Sequence, residues 1–193
     1  MNKKTLSVLA FLLIGVLARA QSGNKTSISF GAEFAIPLNT ISDYGSVRDA
    51  YKDGVGGSVK VELPISSTMH FTGSAGYVYY PNQMRLLYLP TPEPIGTGAS
   101  AVPPPFKFIP VKAGLQYYYD KYFYISGEAG AAFGANYASI TSFIYSGGLG
   151  AVIPFNLHSR LDIGARYERG YEATYYDSPM SQVGFRLAYK YQF

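Results

Sequence analysis

Cysteine and tryptophan are both missing from these 193 residues, histidine occurs only twice, and charged residues make up just 15%. Without a thiol there is no disulfide, no thiolate metal site and no lipid joined to a cysteine behind an export signal. His70 and His158 are too far apart in sequence to form a two-histidine metal spacing. A phosphate-binding glycine loop and a G-x-S-x-G nucleophile turn are also lacking. The chain is therefore expected to work without catalysis, metal or cofactor. Beyond residue 20 no apolar run reaches 18 residues, which excludes a membrane-spanning helix there.

Hydrophobic residues nevertheless make up 48% of the chain, with 19 Tyr, 12 Phe and 21 Gly. The first 20 residues, MNKKTLSVLAFLLIGVLARA, join two lysines, an apolar core from Leu6 to Leu17 and an A-x-A exit at Ala18-Arg19-Ala20. That sequence reads as a secretory signal peptide removed before Gln21; the alternative is an uncleaved anchor helix. Cleavage takes away Lys3, Lys4 and Arg19, three positive charges, so the net charge drops from +4 to +1. A nucleic-acid partner is accordingly not expected. The remainder, residues 21–193, is expected to form one domain.

That domain is clearest in its last stretch, VGFRLAYKYQF. Val183, Phe185, Leu187, Tyr189, Tyr191 and Phe193 alternate with Gly184, Arg186, Ala188, Lys190 and Gln192. A period of two is a β-strand with one apolar and one polar face. About 11 residues at roughly 3.3 Å each, tilted by ~40°, project to about 27 Å, the height of an outer-membrane apolar band. Slipping the register by one would turn Arg186 and Lys190 to lipid at about 2–4 kcal/mol each near the midplane, so the apolar set is read as the outer face.

This strand, aromatic or aliphatic at every second position and ending on phenylalanine, resembles the terminal strand of bacterial outer-membrane β-barrels. The resemblance implies that Phe185, Leu187, Tyr189, Tyr191 and Phe193 are read by the barrel-assembly machinery. It further implies a Gram-negative outer-membrane location among lipid and lipopolysaccharide.

Seven earlier stretches alternate in the same way: Ile28 to Ile36, Val55 to Leu63, Met69 to Tyr80, Phe106 to Tyr119, Phe123 to Phe133, Phe143 to Ile153 and Leu161 to Glu168. Pro110 sits awkwardly in the fourth and is expected beyond the bilayer or at a bulge. The connections alternate between about two to six residues and about nine to 25 residues, as short periplasmic turns and long outer loops would, with both termini in the periplasm. An even strand count can close and leave no edge in lipid. The expected fold is an all-β, eight-stranded, antiparallel, up-and-down transmembrane barrel, similar to the OmpA transmembrane domain and OmpX. It departs from the OmpA pattern in having no peptidoglycan-binding domain after the barrel.

The inward positions collect Glu33, Glu62, Glu128, Asp162 and Glu168 against Lys60, Lys112, Arg166, Arg186 and Lys190. A barrel this narrow is filled by its own side chains, so these charges are expected to neutralise one another in a packed interior; a narrow conducting path is the alternative. As a check, the last two strands should pair either Glu168 with Arg186 or Asp162 with Lys190, and failure of both would count against the assignment. Tyr117, Tyr119, Phe123, Tyr191 and Phe193 should form one interfacial girdle, and Tyr77, Tyr79, Tyr145, Tyr167 and Tyr171 the other.

The 25 residues from Pro81 to Pro105 hold seven of the 12 prolines and cannot be a central strand. Within them Met84, Leu86, Leu87, Tyr88 and Leu89 make an apolar patch, read either as a surface-binding element or as a fold over the mouth. His70 and His158 fall near the periplasmic end. Outer-membrane acylases and deacylases of eight strands place their catalytic residues near the outer leaflet, which does not match. A structural or surface-interaction role is the first reading, and transport of a small or hydrophobic solute the second. A soluble lipocalin-type barrel would need the two faces exchanged, and the missing tryptophan also argues against it.

Overall fold

A computed structural model describes residues 25–38, 40–41, 45–46, 52–81, 105–135, 141–172 and 180–193. In chain order the strands are β1 (Ser27–Pro37), β2 (Thr40–Ile41), β3 (Gly45–Ser46), β4 (Gly54–Pro64), β5 (Met69–Tyr80), β6 (Phe106–Tyr118), β7 (Phe123–Gly134), β8 (Thr141–Pro154), β9 (Ser159–Glu172) and β10 (Met180–Gln192). The pair β2 and β3 is a small separate ladder. The other eight form a closed antiparallel barrel in which each pairs with the next and β10 closes on β1, from Ser27 opposite Gln192 to Pro37 opposite Gln182. Closure pairs each of these eight strands on both sides, so the barrel leaves no backbone edge for the surroundings to satisfy.

Side-chain direction follows the two-residue period. Along β10, Phe185, Leu187, Tyr189 and Tyr191 are exposed while Arg186, Ala188 and Lys190 are buried. Leu187 is 54% exposed and Leu149 on β8 66%, in a chain whose buried residues include nine Lys, Arg, Asp or Glu. Water would select the opposite arrangement, so the medium outside is hydrocarbon.

Three connections, residues 65–68, 119–122 and 155–158, have four residues each, and two of them are closed by a polar side chain. Ser66 Oγ accepts from Met69 N at 3.0 Å. Asn156 Oδ1 accepts from His158 N at 3.0 Å and Ser159 N at 2.7 Å. Such side-chain caps let a tight turn satisfy its backbone without a longer loop. At the opposite end the connections span 38–53, 81–105, 135–140 and 173–179. The last two are shorter than the nine residues or more expected, because β8, β9 and β10 all run past the apolar alternation. Hydrogen-bonded pairing continues beyond the belt, as in Ser142 opposite Glu172 and Met180 opposite Gly170, where the hydrophobic signal has ended.

Pro110 corrects a second expectation. It lies inside β6 between the exposed Ile109 and Val111, with no bulge. The register against β5 is the same on either side of it, Ala75 opposite Val111 and Val78 opposite Phe108, and only the ladder between them is interrupted. Pairing with β7 continues through Pro110 opposite Ala132. The missing N–H is thus taken on the β5 side alone, where Gly76 leaves room for the ring.

Close strand approach demands glycine at several positions, Gly56, Gly114 and Gly130 among them. A Cβ added to Gly114 on β6 would fall 2.0 Å from the Gly127 carbonyl oxygen on β7, whereas a Cβ on Gly127 meets nothing within 4 Å. Gly114→Ala should therefore destabilise by about 1–3 kcal/mol through backbone displacement, with Gly127→Ala close to neutral. Gel mobility with and without heating, across a urea series, measures both; equal midpoints for the two variants would refute the packing.

Candidate functional site

The distinctive chemistry lies in the lumen, where inward positions of all eight barrel strands converge in layers. Nearest the short turns, Lys190 Nζ lies 2.5 Å from Glu62 Oε2 and donates to the Tyr118 hydroxyl at 2.8 Å. Tyr118 also accepts from Gln116 Nε2 at 2.8 Å, and its hydroxyl donates to Glu62 Oε2 at 3.2 Å. Lys60 donates to Gln116 Oε1 at 3.2 Å, tying this layer to the next.

At mid-height, Asp162 accepts from Arg186 Nη1 at 3.1 Å and from the Tyr124 hydroxyl at 2.7 Å. Tyr124 reaches across because Gly150 and Gly164 clear its path: a Cβ on Gly150 would meet its ring at 2.4 Å. Arg186 Nε lies 3.4 Å from Glu33 Oε1, and Arg166 Nη1 donates to Glu33 Oε2 at 2.8 Å. Ser58 donates to Glu33 Oε1 at 2.5 Å. Glu128 stands between Lys60 at 3.5 Å and Lys112 at 3.6 Å, with Thr72 donating at 3.2 Å.

Toward the long connections, Glu168 binds Lys112 in a short ion pair, lies 3.5 Å from Arg166 Nε and accepts from Gln182 Nε2 at 2.6 Å. Gln182 in turn accepts from the Tyr80 hydroxyl. Five carboxylates and five cations thus share one network. Their attraction chiefly offsets the desolvation of ten charges, so removing one partner is far worse than never having had the pair.

The lumen is filled unevenly. Among the mid-height charges the void is about 40 Å³, room for roughly three waters. Above it, Tyr80, Phe108 and Ile144 pack with Ala35, Val78 and Ala132, and Tyr80 stacks on Phe108 at 5.8 Å between ring centroids. This apolar cluster lies inside the barrel toward the end that carries the long connections. At the short-turn end a cavity of about 430 Å³ opens.

Outside, the ring of exposed side chains is apolar on every barrel strand, for example Phe30, Val59, Phe71, Leu115, Ile125, Leu149, Ile163 and Leu187. No family model matches the sequence, and no curated protein does. Solved structures do match. Ail, the attachment invasion locus protein of Yersinia pestis, is 18% identical over 88% of this chain and 98% of its own, with a TM-score of 0.52. OprG from Pseudomonas aeruginosa is 13% identical over 88% and 95%, with a TM-score of 0.50, and neisserial surface protein A 16% over 86% and 95%, also at 0.50. The fold is that of the small eight-stranded outer-membrane barrels. A further Ail structure, 17% identical over 88% of this chain and 98% of its own with a TM-score of 0.51, is a complex with the heparin analogue sucrose octasulfate.

In this outer-membrane-type barrel the terminal-strand residues Phe185, Leu187, Tyr189, Tyr191 and Phe193 all point outward. Tyr117, Tyr119 and Phe123 are exposed with Tyr191 and Phe193 at the short-turn rim, and Tyr119 stacks on Phe123 at 6.1 Å. At the other rim Tyr77, Tyr145 and Tyr167 are exposed, and Lys107 Nζ lies 5.7 Å from the Tyr79 ring centroid. The side chain of Tyr171, the patch Met84, Leu86, Leu87, Tyr88 and Leu89, and the first 20 residues lie outside the described set.

The register check fails for both named pairs. In the β9–β10 ladder Gln182 faces Glu168, Arg186 faces Gly164, Asp162 faces Ala188 and Lys190 faces Arg160. Arg186 instead reaches diagonally to Asp162, and Lys190 crosses the lumen to Glu62 on β4. Long side chains in a narrow barrel reach diagonal and cross-lumen partners, not only the residue directly opposite. The inward direction of all four residues stands on burial rather than on that test.

Of the histidines, His158 is exposed in a turn and stacks on Tyr191 at 5.9 Å. His70 Nδ1 lies 3.6 Å from Glu62 Oε2, too long for a hydrogen bond. Among the described residues no three His, Asp or Glu side chains are grouped as a metal ion would require. Sequence reasoning missed the apolar cap, and it missed Arg160 as a further cation at the short-turn mouth. The cap had a signal: inward parity carries Val78, Tyr80 and Phe108, apolar positions in the face otherwise read as polar.

Proposed function

We propose that this chain is an integral protein of the bacterial outer membrane with a sealed lumen, non-catalytic, serving a structural or surface-interaction role. The carrying observation is the filled interior, a void of about 40 Å³ within the charge network beneath the Tyr80–Phe108 cap. A hydrated ion meets both a ring of paired charges and an apolar seal on that path. In this reading residues 1–20 are an export signal, the termini and short turns face the periplasm, and the terminal strand is the mark read by the assembly machinery.

The surface-interaction half draws support from Ail, which shares the fold and has been solved with a heparin analogue. Here the surface candidates are Met84, Leu86, Leu87, Tyr88 and Leu89, an apolar patch on the longest connection, unlike the anion held by Ail. Planar-bilayer recording tests the sealed lumen. Purified protein is expected to give no sustained single-channel current at 100 mV; steady conductance would replace this reading with the transport one.

A further inference from the structure

The cavity of about 430 Å³ at the short-turn end is of ligand-site size, since small-molecule pockets span about 300–1,000 Å³. Its lining includes Lys25, Lys121, Arg160 and Lys190 against a single carboxylate, Asp120, among the described residues. Lys190 is already matched by Glu62 beneath it, which leaves an excess of positive charge at the mouth.

Arg160 sets this apart from an ordinary charged rim. It stands directly opposite Lys190 in the β9–β10 register, and like charges facing each other across an antiparallel pair are destabilising. Its Nε is buried with no hydrogen-bond partner among the described residues, and so are His70 Nδ1 and Gln192 Oε1, on two other residues of the same lining. Unmet polar groups of this kind are costly to bury unless something occupies them. Unlike the ten charges of the network, Arg160 makes no ion pair among the described residues.

We infer that this cavity is a binding site for an anionic phosphoryl group, held between the Arg160 guanidinium and the Lys190 ammonium. A guanidinium presents two parallel N–H donors that fit a tetrahedral oxyanion, and an ammonium adds a third point of positive charge. The volume exceeds a phosphate ion, so the group carries a larger body, either a soluble phosphorylated molecule or an anionic phospholipid whose head reaches the mouth. The site lies below the apolar cap and does not depend on whether the lumen conducts.

The test uses the full exported chain folded in zwitterionic micelles. Calorimetric titration with inorganic phosphate, against chloride at matched ionic strength, is expected to show saturable binding. Arg160→Gln should weaken it at least ten-fold, and Lys107→Gln, at the far end of β6, should leave it unchanged. A second arm compares nanodiscs of phosphatidylglycerol with nanodiscs of phosphatidylcholine by phosphorus NMR. Broadening that Arg160→Gln removes assigns the site to a lipid head, whereas binding in micelles alone assigns it to a soluble phosphate compound. No response in either arm, or an unchanged response in Arg160→Gln, overturns the site. Because Arg160 has no ion-pair partner to lose among the described residues, Arg160→Gln should fold as well as the parent by heat-dependent gel mobility. Failure to fold would show a structural partner for Arg160 and overturn the inference too.

Discussion

Arg186→Leu is expected to destabilise the barrel by about 3–5 kcal/mol, the range for removing one member of a buried ion pair. Arg186 bridges Asp162 at 3.1 Å and Glu33 at 3.4 Å, and donates to Ser58 at 2.9 Å and Ser29 at 3.0 Å. Its loss leaves Asp162, 1% exposed, with only the Tyr124 hydroxyl as partner among the described residues, while Glu33 retains Arg166. Most of the damage is therefore a stranded Asp162 carboxylate. The double variant Arg186→Leu with Asp162→Leu should regain part of the loss, because apolar replacement of both partners in a buried pair is often close to neutral. The chain has no tryptophan, so urea unfolding is best followed by far-ultraviolet circular dichroism and gel mobility. A loss below about 1 kcal/mol for Arg186→Leu is the value for an exposed pair. It would mean a hydrated lumen and would count against the seal as well as the network.

Much of the architecture was legible because two different media act on alternate residues. Hydrocarbon outside and a packed lumen inside impose a strict two-residue period, so Phe185, Leu187 and Tyr189 separate from Arg186, Ala188 and Lys190 without any knowledge of neighbours. Strand number, closure and the inward face follow from that. Pairing within the lumen does not, because it joins residues remote in sequence whose relative height depends on the stagger of every strand between them. Lys190 and Glu62 are 128 positions apart, and Arg166 and Glu33 are 133 apart. For the same reason Tyr80, Phe108 and Ile144 could be given a face but not a common level, and the cap emerged only when their heights were known. Pro110 was misjudged for a local reason: proline removes one donor, which disturbs one neighbouring strand rather than both.

Leu187→Arg should destabilise the protein in a bilayer by about 2–4 kcal/mol, whereas Tyr191→Arg should have an effect of about 0–1 kcal/mol. Leu187 lies midway along β10, facing Ile163 on β9 and Ala32 on β1, so its side chain projects at the centre of the belt. Tyr191 sits at the rim beside Phe193, with the rings 5.3 Å apart edge to face, where a guanidinium can reach water. The contrast between the two positions carries the meaning. If the belt faced water, a new arginine would be tolerated equally at both, and it would raise solubility. In lipid the penalty must fall with distance from the midplane, because what opposes the charge is the depth of hydrocarbon around it. Unfolding midpoints in vesicles rank the two variants directly. A steep difference between Leu187→Arg and Tyr191→Arg therefore reports the orientation of the whole barrel wall, on which the buried charges, the cap and the membrane location jointly depend.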